Sequence, residues 1–157
     1  MTTLTTPAFS ALLSRLQADA EATQSTLEQG RAQLSPEEHT QLMPSATDYR
    51  ALYSRMKDVH LAVSRETGTM LYMLARAIRA RVIVEFGTSF GISTLQLAAA
   101  LKDNGGGHLI GTEFEPSKVV HARQNLTAAG LSDLVEIREG DAPKQRGHKT
   151  ADEDRTG

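Results

Sequence analysis

The 157 residues include no cysteine and no tryptophan, and only 4% are aromatic. Without cysteine there is no disulfide framework and no thiolate metal site. The five histidines, His39, His60, His108, His121 and His148, show no pair at the three-to-five-residue spacing of a zinc site. An excess of one charge is missing too: 17 Lys and Arg against 19 Asp and Glu give a formal net charge of -2 and a pI near 6.2. A surface that reads nucleic-acid phosphates shows a basic excess or stripe, so a nucleic-acid partner is not expected. No apolar run approaches the roughly 18 residues of a membrane helix. The start, Met1-Thr-Thr-Leu-Thr-Thr6, has neither the basic nor the apolar region of a signal peptide, so no membrane partner and a cytoplasmic location are expected. What remains, 39% hydrophobic and 23% charged, is the composition of one globular domain with a real core.

The most informative stretch is Val82-Ile-Val-Glu-Phe-Gly-Thr-Ser-Phe-Gly-Ile-Ser-Thr94. Val82, Ile83, Val84 and Phe86 have the composition of a parallel strand covered on both faces. Gly87 and Gly91 bracket a loop whose missing side chains allow a sharp turn and close approach of a ligand. From Ile92 the pattern turns helical, with Ile92, Leu95 and Ala99 on one face, so the loop feeds a helix N-terminus whose free N–H groups suit a polar or anionic ligand group. The order Glu85-Phe-Gly87-Thr-Ser89-Phe-Gly91, with an acid two residues ahead of the first glycine, is not the dinucleotide G-x-G-x-x-G.

Elsewhere the periodicity predicts an amphipathic helix over 7–29 with Phe9, Leu12, Leu13 and Leu16 on one face, Thr6 as cap and Gly30 as stop. Ser35-Pro-Glu-Glu38 is a capping box opening a short helix that Pro44 closes, and a third helix is expected from about Ala46. Leu61 to Gly68 interrupts the helical pattern, which resumes over Thr69 to Ile78 with Met70, Leu71, Leu74 and Ile78 facing the core. His108 to Glu113 and Leu134 to Arg138 read as further strands. Between them lies a helix opening near Pro116, with Val119, Ala122, Arg123 and Leu126 on one side and Gly130 as stop. Strand, helix, strand, helix, strand defines an α/β fold with an open, Rossmann-like parallel sheet and right-handed crossovers.

In such sheets ligands bind beyond the carboxyl ends of the strands. Three acids fall there: Glu85 at the end of the first strand, Glu113 at the end of the second, and Asp141 just after the third. Glu113 lies about 20 residues past the glycine loop, where an acid can accept from ribose hydroxyls. Asp141 is placed to accept from the exocyclic amine of an adenine.

With these residues in register, the stretch from about Val59 to Ala142 resembles the class I S-adenosylmethionine-dependent O-methyltransferases of the catechol and caffeoyl-CoA O-methyltransferase-like family. The likeness lies in Glu66-Thr-Gly68, the Val-Glu-Phe-Gly-Thr loop ending in Gly91-Ile-Ser93, Glu113-Phe-Glu-Pro116, Ala129-Gly-Leu131 and Gly140-Asp-Ala142. Ser89 stands where many members carry a glycine. The resemblance implies S-adenosyl-L-methionine as cofactor and a small-molecule hydroxyl, phenol or catechol, as acceptor. It implies Glu85, Gly87 and Thr88 at the methionine and ribose end, Ser93 on the methionine carboxylate and Val63 closing that side. It likewise places Glu113 on the ribose, Phe114 on the adenine face, and Asp141 and Ala142 on the adenine edge. The family allows a divalent metal such as magnesium, but its ligands lie on later strands with no counterpart here.

The expected organisation is an N-terminal helical cap over 1–60, the cofactor-binding Rossmann-like portion over 61–142 and a polar tail over 143–157. The tail has only Pro143 and Ala151 as apolar side chains besides glycine, and is expected to be disordered. With about three strands, the first becomes an open sheet edge, and self-association or a homodimer is expected. Two other readings stand beside the methyltransferase: a non-catalytic nucleotide-binding or interaction remnant, and an α/β-hydrolase-like enzyme. The second rests on the G-x-S-x-G letters of Gly87-Thr-Ser89-Phe-Gly91 and needs a histidine and an acid on later strands.

Overall fold

A parallel sheet of β1 (Val82–Phe86), β2 (His108–Glu113) and β3 (Val135–Glu139) organises the computed structural model, which describes residues 2–32 and 57–140. The order is β1-β2-β3, with Phe86 opposite Thr112 and Glu113 opposite Glu139. This register brings the carboxyl ends of the strands level. The Gly87 and Thr88 N–H groups therefore both donate to the Thr112 carbonyl (3.0 and 2.9 Å), and Gly140 N–H donates to the Glu113 carbonyl (2.9 Å). The helices expected from Ser35 and Ala46, and Asp141, Ala142 and the tail, lie outside the described residues.

Helix α1 (Pro7–Ala32) leads to α2 (Arg65–Ala77); α3 (Ile92–Asp103) and α4 (Pro116–Ala128) are the two crossovers. The centre of the core is α3, whose Leu95, Ala98, Ala99, Ala100 and Leu101 are fully buried. A helix apolar on nearly every side must be enclosed. Phe9, Leu13 and Leu16 of α1, Tyr72 and Ala75 of α2, and Val119, Ala122 and Leu126 of α4 share its core with Ile137 of β3. Among the described residues no helix is long and apolar enough to cross a membrane.

Several boundaries differ from the sequence reading. Helix α1 runs through Gly30 to Ala32, and the Thr6 hydroxyl donates to the Thr3 carbonyl (2.9 Å) instead of capping. Helix α2 begins at Arg65, four residues earlier than expected, because Ser64 Oγ accepts from the Thr67 N–H (3.2 Å) and caps it. Gly68 is therefore helical. It is a close-approach glycine: a Cβ there would collide with the Gln96 amide. The buried residues of α2 are Gly68, Tyr72 and Ala75, while Met70 (48% exposed), Leu74 (54%) and Ile78 (76%) face outward. The small residues set the packed side because they let α2 approach α3 closely; ranking by side-chain bulk picked the wrong face. Strand β3 starts one residue later than expected, Leu134 belonging to a 3-10 turn. Among the described residues β1 is an edge strand, and Val82, Val84 and Phe86 are exposed where burial on both faces was expected.

Asp103, at the end of α3, ties the N-terminus and α2 to that helix. Its carboxylate accepts from the Thr3 N–H (3.0 Å), the Thr3 hydroxyl (2.7 Å) and the Tyr72 hydroxyl (2.6 Å). Burial pushes this carboxyl up, but the hydrogen bonds from Thr3 and Tyr72, with Arg76 nearby, outweigh it and hold its pKa below the ordinary 3.8. A lowered carboxylate pKa stabilises the fold above the unfolded value, and that contribution disappears as pH falls through the folded value. Asp103→Ala is expected to cost about 1–2 kcal/mol at neutral pH, the low end for charged hydrogen bonds because the group is partly solvated. Denaturant titration checks this, and the gap to the unmodified chain should close in acid below pH 3.8.

Candidate functional site

The site grows from the end of β1. Glu85 turns its carboxylate onto the first turn of α3, where it accepts from the Ser93 hydroxyl (2.6 Å), the Thr94 hydroxyl and, more weakly, the Thr88 hydroxyl (3.4 Å). Burial pushes its pKa up, and those hydroxyl bonds offset the push only in part. The loop that follows is left-handed at Gly87 (φ 82°), Ser89 (φ 51°) and Gly91 (φ 85°). Gly91 is the N-cap of α3, packed where a Cβ would lie 3.4 Å from that of Ala122. Gly87 is different: a Cβ there would meet nothing within 4 Å, so its backbone faces open space. That is the exposed cradle a ligand can approach.

Glu113, at the end of β2, clasps this loop to the turn before α4. Its carboxylate accepts from the N–H groups of Ser89 (2.8 Å), Phe114 (2.9 Å) and Glu115 (3.0 Å), and the residue is 8% exposed. A carboxylate offers about four acceptor sites. One further donor, such as a ribose hydroxyl, fits without displacing an N–H, and a second would compete with one.

Facing the loop, His60, Leu61 and Ala62 form a small, partly open cleft with Thr88, Ser89, Phe90, Ile92 and Ser93. The His60 ring stacks on Phe90 at 3.7 Å between centroids, and Lys118 Nζ lies 5.7 Å from the Phe90 centroid. Desolvation holds His60 below its ordinary pKa, helped by Lys118 and His121 and opposed by Asp19, so its imidazole is neutral at pH 7. Ser89 Oγ and His60 Nδ1 are buried with no hydrogen-bond partner among the described residues. Orphaned polar atoms beside an open backbone cradle fit a polar ligand.

The structure thus brings together Glu85, Gly87, Thr88, Ser89, Gly91, Ser93 and Glu113. Phe114 is half-buried in the same turn, and Val63 is half-buried but does not line the pocket, a place taken by the three residues before it. Asp141 and Ala142 lie outside the described residues. His60, Phe90, Thr94 and Lys118 were not singled out from sequence. Thr94 carried a signal, a hydroxyl beside Ser93 in the first turn of a helix that follows an acid-ended strand. The stack of His60 on Phe90 joins segments thirty residues apart and carried none. A hydrolase nucleophile is not supported, since the Ser89 hydroxyl is buried and among the described residues no histidine bonds to it. Among the described residues no three His, Asp or Glu side chains converge as a metal site would require, so they do not fit a divalent metal.

Residues 84–154 match a family model described as a methyltransferase domain. Catechol O-methyltransferases from Niastella koreensis and Mycobacterium tuberculosis are each 40% identical over 82 residues, which is 52% of this chain and 36% of theirs. The chain therefore spans little more than a third of the length of these curated relatives. Among solved structures, the O-methyltransferase TomG from Streptomyces achromogenes in complex with SAM is 37% identical, with a TM-score of 0.52 over 64% of this chain and 45% of that one. An O-methyltransferase from Bacillus cereus in complex with SAH is 31% identical, with a TM-score of 0.54 over 66% of this chain and 48% of that one. The chain is thus similar to O-methyltransferases, among them structures in complex with SAM and SAH, and the matched stretch includes the end of the sheet where the glycine loop meets the acid of the second strand.

Proposed function

We propose that the chain binds S-adenosylmethionine across the carboxyl ends of β1 and β2 and serves methyl transfer to the hydroxyl of a small phenol or catechol, in the cytoplasm. The observation that carries this reading is the clasp of Glu113 on the Ser89 N–H, which sets a ribose-binding acid against an open glycine backbone. On this reading Gly87 and Thr88 face the methionine and ribose end, and Ser93 meets the methionine carboxylate. Glu113 takes a ribose hydroxyl, while Phe114, Asp141 and Ala142 serve the adenine. The bound cofactor supplies an electrophilic methyl group on a sulfonium. The chain's own residues hold it in line for an acceptor oxygen and keep water from the pocket beneath His60 and Leu61. The acceptor class is suggested by the names of the catechol O-methyltransferase relatives. A homodimer through the β1 edge completes the proposal.

The test is retention of labelled S-adenosylmethionine by the purified chain. Displacement by S-adenosylhomocysteine and not by NAD is the expected result; no retention, or equal displacement by NAD, contradicts the reading. Adding magnesium with a panel of catechols and phenols then assigns the acceptor, and turnover by the chain alone would show that its acceptor side is complete. Retention with no turnover on any acceptor favours a non-catalytic role for the chain.

A further inference from the structure

We infer that residues 59–63 form a strap, hinged at Ser64 and latched by the His60 ring on Phe90, which covers the Thr88 to Ser93 side of the glycine loop and swings aside to admit a ligand. On the reading of that loop as the S-adenosylmethionine site, the strap is an autoinhibitory contact. Its backbone shows how little holds it. The Leu61 N–H donates to the Val59 carbonyl and the Ala62 N–H to the His60 carbonyl, each at 3.0 Å, so both bonds close three-residue turns inside the segment. Among the described residues no backbone hydrogen bond joins 59–63 to the glycine loop, the sheet, α3 or α4. Ala62 packs at the margin of the core, and Leu61 is exposed. The principal contact is ring on ring: His60 lies on Phe90 at 3.7 Å between centroids, with 8° between the planes.

The two rings are not equally fixed. The Phe90 carbonyl accepts from the Asn125 side-chain amide of α4 (3.0 Å), and the His121 ring and Lys118 Nζ of the same helix stand 5.4 and 5.7 Å from the Phe90 centroid. His60 can therefore leave while Phe90 stays. At the other end of the strap Ser64 is extended (φ -61°, ψ 162°), and its Oγ accepts from the Thr67 N–H, so rotation ahead of the cap leaves α2 intact. Closure also carries a cost. It desolvates His60 Nδ1 and Ser89 Oγ without giving either a partner among the described residues. One aromatic stack is a contribution of similar size. Opposed contributions of similar size keep the closed and open forms both accessible. The cleft under the strap is small, whereas a ligand of nucleoside size needs roughly 300 Å³ or more. Such a ligand reaches the Ser89 hydroxyl only when the strap lifts.

Amide hydrogen exchange of the full chain reads the strap directly. In the unmodified chain Leu61 and Ala62 should exchange by local opening, more slowly than an unstructured peptide and faster than residues 109–112 of β2. His60→Ala removes the latch and should speed exchange at 61 and 62 by about tenfold, with 109–112 unchanged. His60→Phe keeps the stack without the orphaned nitrogen and should slow it. Surface plasmon resonance on the immobilised chain should show S-adenosylhomocysteine associating in the same order, fastest for His60→Ala and slowest for His60→Phe, because only the open fraction binds. Exchange at 61 and 62 at peptide rates in the unmodified chain overturns the inference, since nothing then latches the strap. Exchange there only together with β2 overturns it as well, since the strap then does not move by itself. Equal association rates in the three chains overturn its cover of the site while leaving the cofactor reading standing. Absence of binding by the unmodified chain overturns the cofactor reading and the gating of that ligand together, and the exchange rates still decide whether the strap opens. The unmodified chain alone yields both exchange outcomes, so a variant that fails to fold does not leave the strap undecided.

Discussion

Glu113→Ala is expected to cost the fold about 2–4 kcal/mol and to weaken S-adenosylhomocysteine binding by a further 1.5–3 kcal/mol, roughly ten- to a hundredfold in affinity. The carboxylate is 8% exposed and receives three backbone N–H groups from two segments, the glycine loop and the turn before α4. Removing it leaves the Ser89 N–H without its acceptor at a residue already in the left-handed region, where the backbone gains nothing by itself. The loop then loses its anchor to β2. Glu113→Gln should recover part of the stability, since one amide oxygen still accepts, while its NH2 confronts an N–H that needs an acceptor. Denaturant unfolding and calorimetry together measure the two losses. An unchanged melting curve would dissolve the clasp, and an unchanged dissociation constant would remove Glu113 from the site.

Val84→Lys is expected to convert a self-associating chain into a monomer. Strand β1 is the edge of the sheet among the described residues, and its outward side chains Val82 (68% exposed), Val84 (55%) and Phe86 (65%) combine open backbone groups with apolar surface. Natural sheets protect such edges with charge, proline or a bulge, and β1 has none of these outside Glu85, whose carboxylate is turned into α3. The exposed Met70, Met73, Leu74 and Ile78 add further apolar surface beyond what scattered single residues contribute. Light scattering after size exclusion should therefore give a mass above 17.0 kDa that rises with concentration, and a lysine at position 84 should return it to that value. A concentration-independent monomer in the unmodified chain would show that the edge is covered.

The sheet was legible because its evidence is local. Val82 to Phe86 and His108 to Glu113 were bounded to the residue by glycines and by the acids that end them. The same holds for the loop, whose glycines needed positive φ at Gly87 and Gly91. What sequence did not reveal depends on contacts between distant segments. Gly68 looks like a helix breaker until Gln96 is seen to occupy the space of its side chain. The outward face of α2 looks like core because Met70, Leu74 and Ile78 are large, whereas Gly68 and Ala75 decide the packing by being small. In the site, Glu85 and Glu113 were found as acids at strand ends. That both are already engaged, one by hydroxyls and the other by backbone N–H groups, needed the fold.

The central claim, that the cofactor lies across the carboxyl ends of β1 and β2, is tested most directly by following backbone amide resonances as S-adenosylhomocysteine is added. Saturable shifts concentrated at residues 87–94 and 113–115, with His60 and Leu61 responding as the facing wall of the pocket, are the expected result. Saturable shifts confined to α1 or to the outer face of β1, or no shifts at all at millimolar ligand on the order of weak binding, would contradict it.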